Sequence, residues 1–154
     1  MKKLFILFSL LIIGLSSCQK VTVSSLAATQ LTLDDAKIQA YLTANKITAT
    51  KDASGLYYQV VNTGTTPNPT TSSTVKITYT SAYLNGVSVG RVEGYTARLS
   101  TFVRALQIGV SKIGTSGRII LIAPSALTYG SAEHNGIPAN SVLYYTVDLN
   151  GVSN

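Results

Sequence analysis

The sequence predicts an α+β domain: a curved antiparallel sheet of about five strands around one short helix, preceded by a longer N-terminal helix. Three observations lead there. Beyond Gly55 apolar residues recur at every second position, as in Val75-Lys76-Ile77-Thr78-Tyr79 and over residues 142–149, which is the period of a half-buried strand. Asn85-Gly86 stands between two such runs as a two-residue hairpin turn. Within this region only residues 102–108 carry a helical spacing, with Phe102, Ala105, Leu106 and Ile108 as the apolar contacts.

Taken in chain order, residues 1–17 have the layout of a secretory leader. Lys2 and Lys3 precede an apolar run over residues 4–15, and small residues follow. The run is shorter than the roughly 20 residues an ordinary membrane helix needs. Leu15-Ser16-Ser17-Cys18 resembles a bacterial lipobox, which implies acylation of Cys18 and a membrane-attached mature chain that starts there; a secreted chain with an incidental Cys18 is the alternative. Gln19 and Lys20 supply no retention or surface-export signal, so the expected location is the bacterial cell envelope, lipid-anchored at the outer membrane and facing the periplasm.

Residues 18–30, rich in Ser, Thr and Ala, read as a flexible tether. Residues 31–52 read as a helical extension in which Thr32 is the N-cap and Asp35 stands in for the Glu of a capping box. Leu33, Ala36, Ala40 and either Ile38 or Tyr41/Leu42 supply its apolar face to about Asn45, packed on its own domain or serving to dimerise. Residues 53–152 form the main domain. Its strands are expected over residues 56–61, 75–84, 87–89, 118–122 and 142–149, with an irregular loop at residues 64–73 containing Pro67 and Pro69. A mature length of about 137 residues suits one core.

Composition excludes much chemistry. The chain has one His, one Cys and six carboxylates among 154 residues, so no disulfide, metal site or cofactor is expected. Formal charge is +6, or +4 without Lys2 and Lys3, and Arg91, Arg98, Arg104 and Arg118 are scattered surface groups rather than a nucleic-acid stripe. Glu133-His134-Asn135-Gly136 reads as a solvated loop. Ser125 lies outside any nucleophile elbow, and residues 114–117 lack the Lys-Ser/Thr end of a phosphate loop.

Against this background the C-terminal motifs Pro124-Ser125-Ala126-Leu127-Thr128-Tyr129-Gly130, Ile137-Pro138-Ala139-Asn140 and Leu143-Tyr144-Tyr145-Thr146-Val147-Asp148-Leu149 resemble those of FK506-binding-protein (FKBP) type peptidyl-prolyl isomerases. Ser54-Gly55-Leu56-Tyr57-Tyr58 and Val75-Lys76-Ile77-Thr78-Tyr79-Thr80 are similar to the family's first strands. The resemblance implies a pocket lined by Tyr79, Val89, Phe102, Tyr129, Ile137 and Tyr145, with Phe102 in place of the usual floor tryptophan. The Tyr129 hydroxyl and the Leu99 backbone N–H would be the catalytic donors. Tyr79 and Tyr145 also read as core aromatics, Phe102 as a helix-to-sheet anchor and Ile137 as a loop plug. Val89-Gly90-Arg91-Val92 replaces the family's Phe-Asp-Ser-Ser, which implies a divergent site. The expectation is a monomer that isomerises proline-containing peptides or unfolded exported proteins weakly; the alternative is a non-catalytic peptide-binding or structural lipoprotein.

Overall fold

The computed structural model describes residues 23–153. The leader at residues 1–17 and the acylation expected at Cys18 lie outside the described residues. Strands β1 (Thr50–Lys51), β2 (Tyr57–Asn62), β3 (Thr74–Tyr83), β4 (Ser88–Arg98), β5 (Arg118–Ala123) and β6 (Leu143–Ser153) form one sheet in the order β1-β2-β5-β6-β3-β4. All its pairings are antiparallel. Helix α1 (Val23–Asn45) precedes the sheet and helix α2 (Arg104–Val110) lies between β4 and β5. The expected α+β architecture is therefore present, with the two-residue β1 as the sixth strand.

The period of two divides the sheet's side chains between two cores. Leu56, Leu121 and Tyr145 join Val75, Ile77, Val147 and Leu149 around Leu106 and Val110 of α2. Their neighbours Tyr57 and Ile122 turn to the opposite face, where Ile38 and Leu42 of α1 cover them. Tyr41 and Tyr144 complete this second contact edge to face, 6.2 Å between ring centroids. Each fully buried aliphatic contributes on the order of 1.5–3 kcal/mol relative to exposure.

Helix α1 departs from expectation in two ways. It begins at Val23, so residues 23–30 are helical rather than tether. Thr32 lies inside the helix, where its hydroxyl donates to the Ala28 carbonyl at 3.1 Å instead of capping a terminus. The preceding Leu26, Ala27 and Ala28 are good helix formers, which is why the helix continues upstream. The buried stripe is Asp34, Ile38 and Leu42, four residues apart, while Leu33, Ala36 and Ala40 face solvent. A carboxylate occupies a position that hydrophobic periodicity reserves for an apolar residue.

Close backbone approach fixes the connection after α2. Thr65 and Thr115 exchange hydrogen bonds, Thr65 N–H to Thr115 O at 2.8 Å and Thr115 N–H to Thr65 O at 3.1 Å. A Cβ on Gly114 would run into the Thr65 carbonyl, 2.5 Å from its carbon. Gly114→Ala is expected to destabilise the fold by about 1–3 kcal/mol, seen as a lower urea midpoint at unchanged m-value. An unchanged midpoint would refute this crossing.

One ion pair joins this turn to the β1–β2 connection. Lys112 donates to Asp52 Oδ2 at 2.8 Å, Ser54 N–H donates to Oδ1 at 2.9 Å, and the ammonium stands 4.5 Å from the centre of the Tyr58 ring. The Lys112 hydrogen bond, followed by that from Ser54, lowers the Asp52 pKa from 3.8 to about 2. Because the folded state lowers this pKa, the pair stabilises fully above pH 3.8 and loses its effect as pH falls toward about 2. Both groups are about a quarter exposed, so on the order of 1 kcal/mol is expected rather than the full shift. Lys112→Met should flatten the fall in the urea midpoint across that window; equal slopes in variant and wild type would disprove it.

Candidate functional site

Strand β6 carries Tyr145, almost fully buried, at the base of a small aromatic hollow. In the β3–β6 register Tyr145 pairs with Ser81 and Val147 pairs with Tyr79, which makes Tyr79 and Tyr145 diagonal neighbours on one face. Their ring centroids are 6.2 Å apart. Phe102, in the segment just before α2, and Leu106, in its first turn, close the hollow from the helix side, with Thr101 and Val103 beside them. Tyr129 comes from the long loop between β5 and β6. The cavity measures about 180 Å³.

The eighth wall residue, Tyr95, enters through a bulge. Ile77 pairs with Tyr95 and Tyr79 with Val92, so two steps along β3 match three along β4. In a regular strand residues three apart point to opposite faces; the extra residue brings Tyr95 to the face that carries Tyr79. Gly94 supplies the positive φ of 55° that the bulge adopts, and its N–H donates to Thr78 Oγ1 at 3.0 Å. Tyr95 then meets Phe102 edge to face at 5.9 Å.

Tyr129 is held from both sides. Its ring stacks on His134, centroids 4.4 Å apart and planes 11° from parallel. His134 reaches it because Asn135 and Gly136, both at positive φ, form a tight turn in which His134 and Ile137 exchange two backbone hydrogen bonds. On the other side the Ser125 carbonyl accepts from Thr128 N–H at 2.9 Å, Thr128 Oγ1 at 3.0 Å and Gly130 N–H at 2.9 Å.

The structure brings together four of the side chains proposed from sequence: Tyr79, Phe102, Tyr129 and Tyr145. Three others are placed differently. Val89 packs on the α2-side core and Ile137 is buried in the tight turn, and neither lines the hollow. The Leu99 N–H donates to the Ser73 carbonyl at 2.9 Å and is therefore committed within the fold. Tyr95, Thr101, Val103 and Leu106 were missed. Gly94 was the available signal for Tyr95, since a glycine inside a strand pattern marks a bulge. Among the described residues no group of His, Cys, Asp and Glu is arranged to hold a metal.

Residues 65–150 match the FKBP_C family, FKBP-type peptidyl-prolyl cis-trans isomerase. The chain belongs to this FKBP-type family. Over 101 residues it is 36% identical to the FKBP-type peptidyl-prolyl cis-trans isomerase FkpA of Escherichia coli, covering 63% of this chain and 37% of that protein. The FkpA of Aeromonas hydrophila is 34% identical over 73% of this chain and 44% of its own length. The chain thus spans less than half of these relatives. The crystal structure of E. coli FkpA superposes with a TM-score of 0.71 at 29% identity, over 84% of this chain and 65% of that one. A peptidyl-prolyl cis-trans isomerase structure from Pseudomonas syringae, at 18% identity and a TM-score of 0.69 over 83% of this chain and 96% of that one, shares the fold.

These relatives correct one expectation. The lipid-anchored outer-membrane location read from the leader is set aside, because the relatives that match through the folded domain are FkpA proteins. The lipobox resemblance rests on four residues, whereas the similarity to FkpA runs through the folded domain.

Wider hollows flank α1. One of about 290 Å³ contains Asp35 and Lys51, which already bond each other at 2.5 Å, and Tyr57 donates to the same Asp35 oxygen at 2.7 Å. Another, of about 450 Å³, lies between Leu26, Ala27 and the Ser125 turn. The aromatic hollow is smaller, but it is where phenol groups converge on an apolar floor. Burial, and then the neighbouring Tyr129 and Tyr79, raise the Tyr145 pKa above its ordinary 10. Burial, then Tyr129 and Tyr95, raise that of Tyr79. Both phenols stay protonated as donors at neutral pH, and because the folded pKa is raised, stability falls as pH climbs above 10. An alkaline absorbance titration should show the highest tyrosine ionisation step disappearing in Tyr145→Phe; a step that persists would contradict this environment.

Proposed function

We propose that this chain isomerises Xaa-Pro peptide bonds in unfolded exported proteins, with modest turnover, in the hollow formed by Tyr79, Tyr95, Phe102, Leu106, Tyr129 and Tyr145. The observation that carries the reading is the joining of an apolar aromatic floor to a phenol donor on the Tyr129 loop, in a chain of the FKBP-type family. The apolar leader run supports exported clients. Rotation about the peptide C–N bond has a barrier of about 20 kcal/mol because it breaks amide resonance. The twisted amide is less polar than the planar one, so an apolar enclosure favours it and a hydrogen bond to its carbonyl orients it. Such catalysis is differential binding, with no nucleophile or metal taking part. Tyr129 donates to the substrate carbonyl, while Phe102 and Tyr145 take the proline ring.

Modest turnover follows from size. A hollow of about 180 Å³ lies below the range of about 300–1,000 Å³ usual for ligand sites, and Phe102, where the resemblance expects a larger tryptophan, offers the proline ring less contact surface. The same observation favours the second reading, a domain that binds proline peptides without useful turnover. A protease-free assay with a labelled apolar-Xaa-Pro peptide separates the two. Wild type is expected to accelerate isomerisation, and Tyr129→Phe to reduce kcat/KM by a few-fold to about tenfold, the equivalent of roughly 0.5–1.5 kcal/mol. Folded wild type that leaves the rate at background overturns the isomerase reading. Resonances around Tyr129 that shift with the same peptide would then establish the binder.

A further inference from the structure

Asp34 is the one acidic residue that this fold buries completely among the described residues. Its carboxylate accepts three hydrogen bonds: from Ser125 N–H at 2.8 Å, from Ser125 Oγ at 2.6 Å and from Gln30 Nε2 at 2.7 Å. Lys37, the nearby cation, stands 3.9 Å away and is largely exposed, so the donors compensate the burial more than the ion pair does. Packing does not require a carboxylate here, because Ile38 and Leu42 continue the same stripe with aliphatic groups. What Asp34 adds is a grip on Ser125, itself 1% exposed. The carbonyl of that serine in turn holds Thr128 and Gly130, the residues on either side of Tyr129. A continuous path of hydrogen bonds thus runs from α1, which lies outside the stretch matched to the family, to the two residues that flank Tyr129 of the aromatic hollow.

We propose that Asp34 is a positioning residue for Tyr129, which makes α1 a working part of the site; the inference rests on the isomerase reading above. Helix α1 packs on the sheet face opposite α2, so it never touches the hollow's floor and acts through the Ser125 turn. The prolyl carbonyl then meets a hydroxyl whose backbone is anchored at Ser125, whose ring is backed by His134, and whose far end is tied by Asn140 N–H to Gly130 O at 2.8 Å.

The test uses the full chain in the protease-free assay with Asp34→Ala, Asp34→Asn, Tyr129→Phe and the double variant Asp34→Ala/Tyr129→Phe, each compared with its urea unfolding curve. Asp34→Ala is expected to lower kcat about three- to tenfold with little change in KM, and to cost less than about twofold once Tyr129 is already Phe, because residues acting through one group are not additive. Asp34→Asn should restore most of the activity, since its carbonyl can accept both Ser125 donors while the Gln30 amide turns to accept from the new NH₂. Fully additive losses, or losses that follow the unfolded fraction alone, overturn the proposal. If Asp34→Ala does not fold, Ser125→Ala removes only the hydroxyl bond and must show the same non-additivity with Tyr129→Phe. If wild type proves inactive the isomerase reading falls, and hydrogen exchange still decides the positioning link: the Gly130 amide should exchange at least about tenfold faster in the Asp34 or Ser125 variant while β6 amides do not change. Equal protection at Gly130 overturns it.

Discussion

Strand β6 constrains the rest of the structure. It pairs with β5 on one side and β3 on the other, and its alternating Leu143, Tyr145, Val147 and Leu149 supply the spine of the core beneath α2. A one-residue slip would turn all four to the other face and bring up the half-buried Tyr144, Thr146 and Asp148 in their place. The register is therefore set by burial. It places Tyr145 beside Tyr79 and under α2, so the same alternation that stabilises the sheet also builds the base of the hollow.

The chemistry suits a chain so poor in reactive groups. Phenols are the polar counterpart of an apolar wall, each bringing a large ring and a single donor. Tyr145 and Tyr79 are kept protonated by their burial, while Tyr129 sits on a loop and is half-exposed. An acid–base or metal mechanism asks for charge that this hollow does not contain. Amide rotation asks only for shape, a low-polarity surrounding and a positioned hydrogen bond.

Helix α1 has a different standing from the matched domain. It covers the second face of the sheet through Ile38, Leu42 and Tyr41, and it places a buried carboxylate against the turn that leads to Tyr129. Losing a partner of such a group leaves an unsatisfied charge, which is more damaging than losing a neutral contact. Fold and site are coupled there by hydrogen bonds, and at Tyr145 by packing.

Local periodicity by itself determined β2, β3, β5 and β6, the Asn85-Gly86 hairpin, the short helix before β5 and the family resemblance, because period, turn chemistry and motif spacing are written in neighbouring residues; it gave β4 only over residues 87–89, short of its end at Arg98, and did not give β1. Four wall residues, Tyr79, Phe102, Tyr129 and Tyr145, were legible for the same reason: they lie inside those motifs. Only tertiary structure decided the remainder. Tyr95 joins the hollow through a bulge that breaks the period of two, and His134 reaches Tyr129 through a turn that folds a polar loop back on itself. The Leu99 N–H is taken by Ser73, a partner 26 residues away in sequence that no local pattern connects to it. No sequence pattern singles out Asp34, and its burial follows only when Ser125, 91 residues further on, is packed against it. Long-range hydrogen bonds leave no periodic trace, and the positioning of this site is made of them.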